Sequence, residues 1–439
     1  MWSIRHSSTV PAGRVRRLAG MVAVLALAAG TGAACSGGGG GGSGGKVTLT
    51  FANWAAAESA TRPGLRAAIK TYEKAHPNVM IKSQPISFSD IGHQLVLRQR
   101  SGNPPDIAEL SGNDTYSVHA SGALEPLDDY VDSSLRGKLI SSDLKHLTID
   151  GELAAFPWTD SPQALWYNKK LLKKAGVAKP PATVDELTAD LAKVHKAMPR
   201  AVGLGIDTTN RTFGLAANWS WMETFGAEPF SGSKASADTP QMKQYLSWMR
   251  ELAQKDYISP GHKIGDFRPQ AAQGKVAFMV DQPVLQGVIQ STAKMSDKEF
   301  YDTWGVAPMP TGSSGQSYST ALGHELVVFN NSEHKQEAFD FVKWLATAQQ
   351  PVLNYTLKYE SSLPPLANPS GKVAKALDTP VFDAYRKQIT PTTVIPPYGR
   401  SYSDASSAVM AGVQQAITGN KPIDAVASSM QDQVQQSIG

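Results

Sequence analysis

KVTLTFANW at 46–54, VMI at 79–81 and PPDIAEL at 104–110 decide the fold. The first stretch alternates apolar and polar residues with period two, the pattern of a strand, and ends at Asn53-Trp54. Residues 58–76 then carry Leu65, Ile69 and Tyr72 at helical spacing, and Pro77-Asn78 ends the run before the strand at Val79. Asp90 to Arg100 is a second helix with Ile91, Leu95 and Val96 on one face; Asn103-Pro104-Pro105 breaks it, and Asp106 to Leu110 is a short buried strand. Strand–helix–strand–helix–strand at these lengths implies right-handed crossovers and a parallel sheet, an α/β architecture.

Further along, GELAAFPW (151–158), QALWY (163–167), Gly203 to Ile206 and VAFMV (276–280) read as strands. Thr183 opens a helix as N-cap, with Glu186 in capping-box register. Helices are predicted over Thr212–Phe225 and Glu333–Ala348, and two more within Ser401–Ile438, split by Gly419-Asn420-Lys421-Pro422. Gly305 to Pro310 leads to a strand pair whose second member is Glu325 to Phe329. No period of 20–50 residues repeats, which argues against a solenoid. About 390 of the 439 residues belong to this body, more than the ~250–300 that one core sustains, so two lobes are expected.

The formal charge of +4 comes from 42 Lys+Arg against 38 Asp+Glu. Arg5, Arg14, Arg16 and Arg17 lie in the first 17 residues, and no acid precedes Glu58. Taking those four from 42 leaves 38 basic residues against 38 acidic ones, an electroneutral body. A nucleic-acid partner is excluded as the main reading, because phosphate binding needs a concentrated basic face. The basic start precedes an apolar run, Leu18 to Gly30, and small residues at Gly32-Ala33-Ala34, which together form an export signal over 1–34. Cys35 is the single cysteine, so no intramolecular disulfide forms. Its place after those small residues resembles the lipobox of bacterial lipoproteins, with Gly32 where that motif usually has Leu. The resemblance implies an acylated Cys35 anchoring the chain to the outer face of the cytoplasmic membrane. SGGGGGGSGG (36–45) follows as a flexible tether.

Catalytic signatures are missing. The sequence has no H-E-x-x-H, C-x-x-C, P-loop or G-x-S-x-G pattern, and its nine His lack metal-ligand spacing. No cofactor, metal or catalytic residue is expected. What the strand ends carry is aromatics beside acids and amides: Asn53-Trp54, Glu109 with Asn113-Asp114, Trp158-Thr159-Asp160, Trp219, and Asp281-Gln282. A sugar offers apolar C–H faces and a rim of hydroxyls; rings cover the former, and carboxylates and amides bond the latter. In open α/β sheets the crevice beyond the strand carboxyl ends is the usual ligand position.

The chain resembles the family-1 extracellular solute-binding proteins, substrate receptors of carbohydrate ABC importers. The landmarks are TLTFANW (48–54), SGNPPDIAELSGND (101–114), GALEPLDDY (122–130), FPWTDSPQALWYNKKLLKKAGV (156–177), PATVDELTADLAKV (181–194), GKVAFMVDQP (274–283), WGVAPMP (304–310), ALGHELVVFN (321–330), KQEAFDFVKWL (335–345) and ITGNKPIDAV (417–426). The resemblance implies a two-lobe periplasmic-binding-protein fold of type II kind, hinged, with the ligand in the interlobe cleft. Lobe 1 would take 46–158 and 305–355, and lobe 2 would take 159–304 and 356–439. The implied ligand contacts are Trp54, Glu109 to Asp114, Asp281, Gln282 and His324. His324 stands where the family often has a second Gly. Maltodextrin-type members carry an aromatic pair near 405–407; here Ala405-Ser406-Ser407 has none, and Tyr398 and Arg400 stand slightly upstream. A mono- or short oligosaccharide is therefore expected, delivered by a monomer to ABC permease subunits. Two alternatives are a receptor for a glycerol-phosphate-type solute, using Arg211, Arg268 or Arg400, and, more remotely, a secreted glycoside hydrolase pairing Glu109 and Asp281.

Overall fold

The computed structural model describes residues 45–439. The export signal over 1–34 and Cys35, with all of the tether but Gly45, lie outside the described residues. Among the described residues, no helix is long and apolar enough to cross a membrane.

The chain enters β1 (Val47–Asn53), crosses α1 (Arg62–Ala75) to β2 (Val79–Pro85), and returns through α2 (Ile91–Arg100) to β3 (Ile107–Leu110). Helices α3 (Asn113–Ala120) and α4 (Ser141–His146) lead to β4 (Phe156–Thr159). The chain then passes into a second sheet with β5 (Ala164–Asn168), α5 (Val184–Ala197), β6 (Val202–Gly205), α6 (Thr212–Thr224), α7 (Pro240–Gln254), α8 (Ile264–Ala272), β7 (Val276–Asp281) and β8 (Trp304–Ala307). It comes back to the first sheet with β9 (His324–Val328) and α9 (Lys335–Thr347), and finishes in α10 (Tyr402–Thr418) and α11 (Ile423–Ile438).

The first sheet has the order β2-β1-β3-β9-β4. β1 runs parallel to β2 and β3, as the alternation predicted, while β9 is antiparallel to β3 and β4. The second sheet has the order β8-β5-β7-β6, with only β7 and β6 parallel. Every residue of β7 is buried, because helices cover both faces of its sheet. The first core packs around Phe51, Phe156 and Phe341, and the second around Trp221, Tyr245 and Tyr402. Trp166 and Trp304 fill the far side of the second sheet.

Three expectations change. Trp304–Ala307 does not pair with β9 but lies on β5, so residues expected to open a return to lobe 1 belong to the second sheet. Residues 151–158 are two pieces, Glu152–Leu153 and β4. Thr183 caps α5 as predicted, accepting from the Glu186 N–H at 3.1 Å, but the Glu186 carboxylate takes the Ala182 N–H rather than that of Thr183.

Three segments join the sheets, and they are hydrogen-bonded to one another. Asp160 and Leu363 exchange N–H···O bonds of 2.9 and 3.2 Å, and the Gln163 N–H donates to the Thr320 carbonyl at 3.0 Å. Ser161 Oγ donates to Ser362 Oγ at 2.8 Å. Gly323 lies so close to the Thr159 carbonyl that a Cβ there would collide with it. Gly323→Ala should therefore lower stability by about 1–3 kcal/mol, read as a lower midpoint in urea unfolding; an unchanged midpoint would show that the crossing yields without cost.

Candidate functional site

The carboxyl ends of β1, β3 and β7 and the start of β9 converge on a cleft between the two sheets. The turn after β1 is held by Glu109: its Oε2 accepts the N–H groups of Trp54 and Ala55, each at 3.1 Å. Trp54 is thereby set at the cleft wall, though only 4% exposed, with its ring edge-on to Phe88 and to His324 at 5.1 and 4.9 Å. Phe88 crosses to the second sheet's side and meets Phe213 edge-to-face at 5.5 Å. Phe213 lies in the first turn of α6 under the Arg211 guanidinium, 4.8 Å from its ring centre.

His324 sits at a register shift between β9 and β4, and its backbone N–H donates to Thr159 Oγ1 at 3.1 Å. Its Nδ1 is 3.1 Å from Glu109 Oε1 and 3.6 Å from Glu360 Oε1, yet Nδ1 and Glu109 Oε1 each lack an aligned hydrogen-bond partner. Burial pushes the Glu109 carboxyl well up and the His324 imidazole down, so desolvation opposes an ion pair between them. Burial also raises Glu360 to about 7.

Asp281 is 1% exposed at its side chain and is clamped by Arg268, Nε to Oδ2 at 3.0 Å and Nη2 to Oδ1 at 2.9 Å. Gln282 turns back to the crossing and donates from Nε2 to the carbonyls of Leu322 at 2.7 Å and Ser161 at 3.3 Å. Arg211 is likewise tied, to Asp207 Oδ2 at 2.6 Å and Thr209 Oγ1 at 2.9 Å. Lobe-to-lobe contact recurs at Tyr398, whose ring lies 6.0 Å from both Tyr116 and His146; beside it the Gly399 N–H donates to Asn113 Oδ1 at 3.2 Å. Gly112, at φ 56°, leaves room for that tyrosine: a Cβ would come within 3.0 Å of its ring. Burial raises the Asp114 carboxyl to about 6.

The cleft holds two adjoining cavities. One, about 290 Å³, is lined by Trp54, Glu58, Arg268, Gln282, His324 and Glu360. The other, about 220 Å³, is lined by Ser111, Asn113, Asp114, Leu322 and Tyr398. Phe88, Ser89, Arg211 and Phe213 line both. Thus Trp54, Asn113, Asp114, Gln282, His324 and Tyr398 are brought to one cleft, with Glu109 and Asp281 directly behind it. Four candidates fall elsewhere. Trp158 is fully buried and stacks on Tyr355 at 5.3 Å. Trp219 is in the second core against Phe230, because α6 is buried all round. Asp160 lines a third, smaller cavity with Asp143 and Glu325, which shares Gly112 and His324 with the other two, and Arg400 is exposed beyond the cleft lining. Phe88, Phe213 and Glu360 were not singled out from sequence; none ends a regular strand, so no strand-end pattern marked them. Among the described residues, no group of three His, Cys, Asp or Glu is placed to hold a metal.

Comparison with known proteins agrees with this geometry. The model of the family described as bacterial extracellular solute-binding protein matches residues 56–350. A Brucella abortus chain named as a binding protein is 27% identical over 306 residues, 69% of this chain and 72% of the relative. A maltotriose-binding protein of Pyrococcus abyssi is 24% identical over 285 residues, 61% of this chain and 56% of its own length. Among solved structures, an ABC transporter solute-binding protein of Thermotoga lettingae bound with α-D-tagatose superposes with a TM-score of 0.79 at 20% identity, covering 90% of this chain and all of that one.

The Glu360 environment makes a signed pH prediction. Folded, its carboxyl keeps a proton up to about pH 7, whereas the ordinary value is 4.5. Between these values the unfolded chain binds fewer protons, so stability falls as pH rises and the loss is complete above about pH 7. Glu360→Gln should remove up to about 3 kcal/mol of that fall, measured by urea unfolding at pH 5 and pH 8. Parallel behaviour of both proteins would show that Glu360 titrates normally.

Proposed function

Because the chain belongs to the bacterial extracellular solute-binding protein family, a family of receptors and not of enzymes, we propose that it captures a mono- or short oligosaccharide by lobe closure and hands it to an ABC permease. The observation that carries this is the interlobe cleft itself: aromatic walls at Trp54, Phe88 and Phe213, with hydrogen-bonding groups around them. Its cavities, about 290 and 220 Å³, stand below the ~300–1,000 Å³ typical of small-molecule sites, which favours a short ligand. That the relatives named above include a maltotriose-binding protein, and the solved neighbour a tagatose complex, supports the saccharide class.

The charges at the cleft favour a neutral solute over a phosphorylated one. Arg211 and Arg268 are each paired with a buried aspartate, which offsets the charge each would offer a phosphate. Glu109 and Asp281, the pair a hydrolase would need, are bonded to backbone N–H groups and to Arg268. In this reading Trp54, Asn113, Asp114, Gln282, His324 and Tyr398 contact the ligand, and Glu109 and Asp281 position those that do. The protein works as a monomer, exported and held at the outer face of the cytoplasmic membrane by an acylated Cys35, with residues 36–45 as tether.

A thermal-shift screen against monosaccharides, di- and trisaccharides and glycerophosphodiesters tests the ligand class. A sugar present at about 100 times its Kd should stabilise the protein by about 2.7 kcal/mol. A response to glycerophosphodiesters alone would replace the saccharide reading. Asn113→Ala removes a bond made across the cleft and should weaken the affinity for the sugar found by about fivefold in calorimetric titration. An unchanged Kd would remove the Asn113–Gly399 contact from the closure step.

A further inference from the structure

The contact between Phe88 and Phe213 divides the cleft. The two rings come from opposite lobes, meet edge-to-face at 5.5 Å with the planes at 90°, and line both cavities. Each is braced from behind, Phe88 by the Trp54 ring at 5.1 Å and Phe213 by the Arg211 guanidinium at 4.8 Å. Arg211 is in turn locked to Asp207, whose side chain is fully buried. Neither ring therefore swings aside without disturbing a packed partner. The compartments also differ in chemistry. The 290 Å³ side carries charged groups of both signs, among them Glu58, Lys263, Arg268 and Glu360. The 220 Å³ side offers Ser111, Asn113, Asp114 and Tyr398.

We propose that Phe88 and Phe213 are a ligand-length gate: a one-ring sugar occupies a single compartment with the gate shut, and a two-ring sugar is accepted only by parting the rings. This rests on the saccharide reading above. The gate is a specificity determinant because parting it costs the aromatic contact and the bracing on both sides, a cost that only the longer ligand incurs. It is also a cross-cleft contact, so it holds the lobes together before any solute arrives.

The test uses the full chain and its Phe88→Ala, Phe213→Ala and Phe88→Leu variants, titrated calorimetrically with glucose, galactose, maltose, cellobiose and lactose. The wild-type protein should bind a monosaccharide at least about tenfold more tightly than the disaccharide built from it. Either alanine variant should bring that ratio close to one, while Phe88→Leu, which keeps an apolar wall, retains part of it. A ratio that stays the same in the alanine variants overturns the gate, as does a wild-type preference for the disaccharide. If none of these sugars binds any of the four proteins, the saccharide reading has failed for this set, and the gate is judged from small-angle X-ray scattering without ligand. There, a larger radius of gyration in Phe88→Ala than in wild type supports it, and equal radii reject it. Thermal unfolding of each variant separates a lost contact from a lost fold.

Discussion

Gln282 holds the two halves of the molecule in relation to each other. Its side-chain amide leaves the end of β7 and donates to the carbonyls of Leu322 and Ser161, which lie on two of the three segments that join the sheets. The third segment is attached to the same knot, through Ser161 to Ser362 and through the paired backbones of Asp160 and Leu363. Backbone groups at a crossing have no sheet to satisfy them, and an unpaired buried N–H or C=O would cost about 1–3 kcal/mol. The three strands meet that demand by bonding to each other and to one amide. The consequence is positional. Thr159 and His324 are the end residues of strands that run into these segments, and Glu360 lies on one of them, so part of the cleft lining is built at the joint. A motion of one lobe against the other must turn about residues that also face the solute.

The electrostatics of the cleft follow the same economy of partners. Arg268 is charged and largely enclosed, which is tolerable because Asp281 meets its fork with two bonds; Arg211, just before α6, makes one bond to Asp207 and a second to Thr209. Glu109 has no cation of its own. Its charge is suppressed by burial, and its oxygens serve the turn at Trp54 and the imidazole edge of His324. Polar atoms are thus numerous, a surface suited to hydroxyl groups. A buried ion pair broken on one side is costly, so these side chains are held in place before a ligand arrives.

Much of this was legible along the chain where the periodicity was simple. The alternation of residues 47–53 and the helical spacing of Leu65, Ile69 and Tyr72 gave the parallel half of the first sheet, though not its strand order. Trp304–Ala307 was misread because nearness in sequence suggested pairing with β9, whereas a joining segment intervenes and each strand goes to a different sheet. The tryptophans show a different limit. Trp54, Trp158 and Trp219 have similar neighbours in sequence, yet Trp158 stacks on Tyr355 from a distant segment and Trp219 is enclosed by a helix buried on every side. A residue's immediate neighbours do not report what packs on it from 200 positions away. Phe88 and Phe213 were missed for the converse reason: each is unremarkable alone, and their significance exists only where the lobes meet.

That meeting has a thermodynamic consequence. A solute shifts the balance between open and closed lobes only by the difference in its affinity for the two arrangements. Contacts made by the protein with itself across the cleft add to closure whether or not a solute is present. Phe88 on Phe213 and the Gly399 N–H on Asn113 are such contacts, and Tyr398 against Tyr116 and His146 is a third. Each raises the fraction of molecules already arranged to bind, and apparent affinity improves in proportion to that fraction. The same contacts resist reopening, so a receptor that must surrender its cargo cannot strengthen them without limit. An edge-on aromatic pair and a single amide bond are weak enough individually to satisfy both demands: together they bias the lobes towards each other, and a partner that engages the two lobes in their parted arrangement can still overcome them.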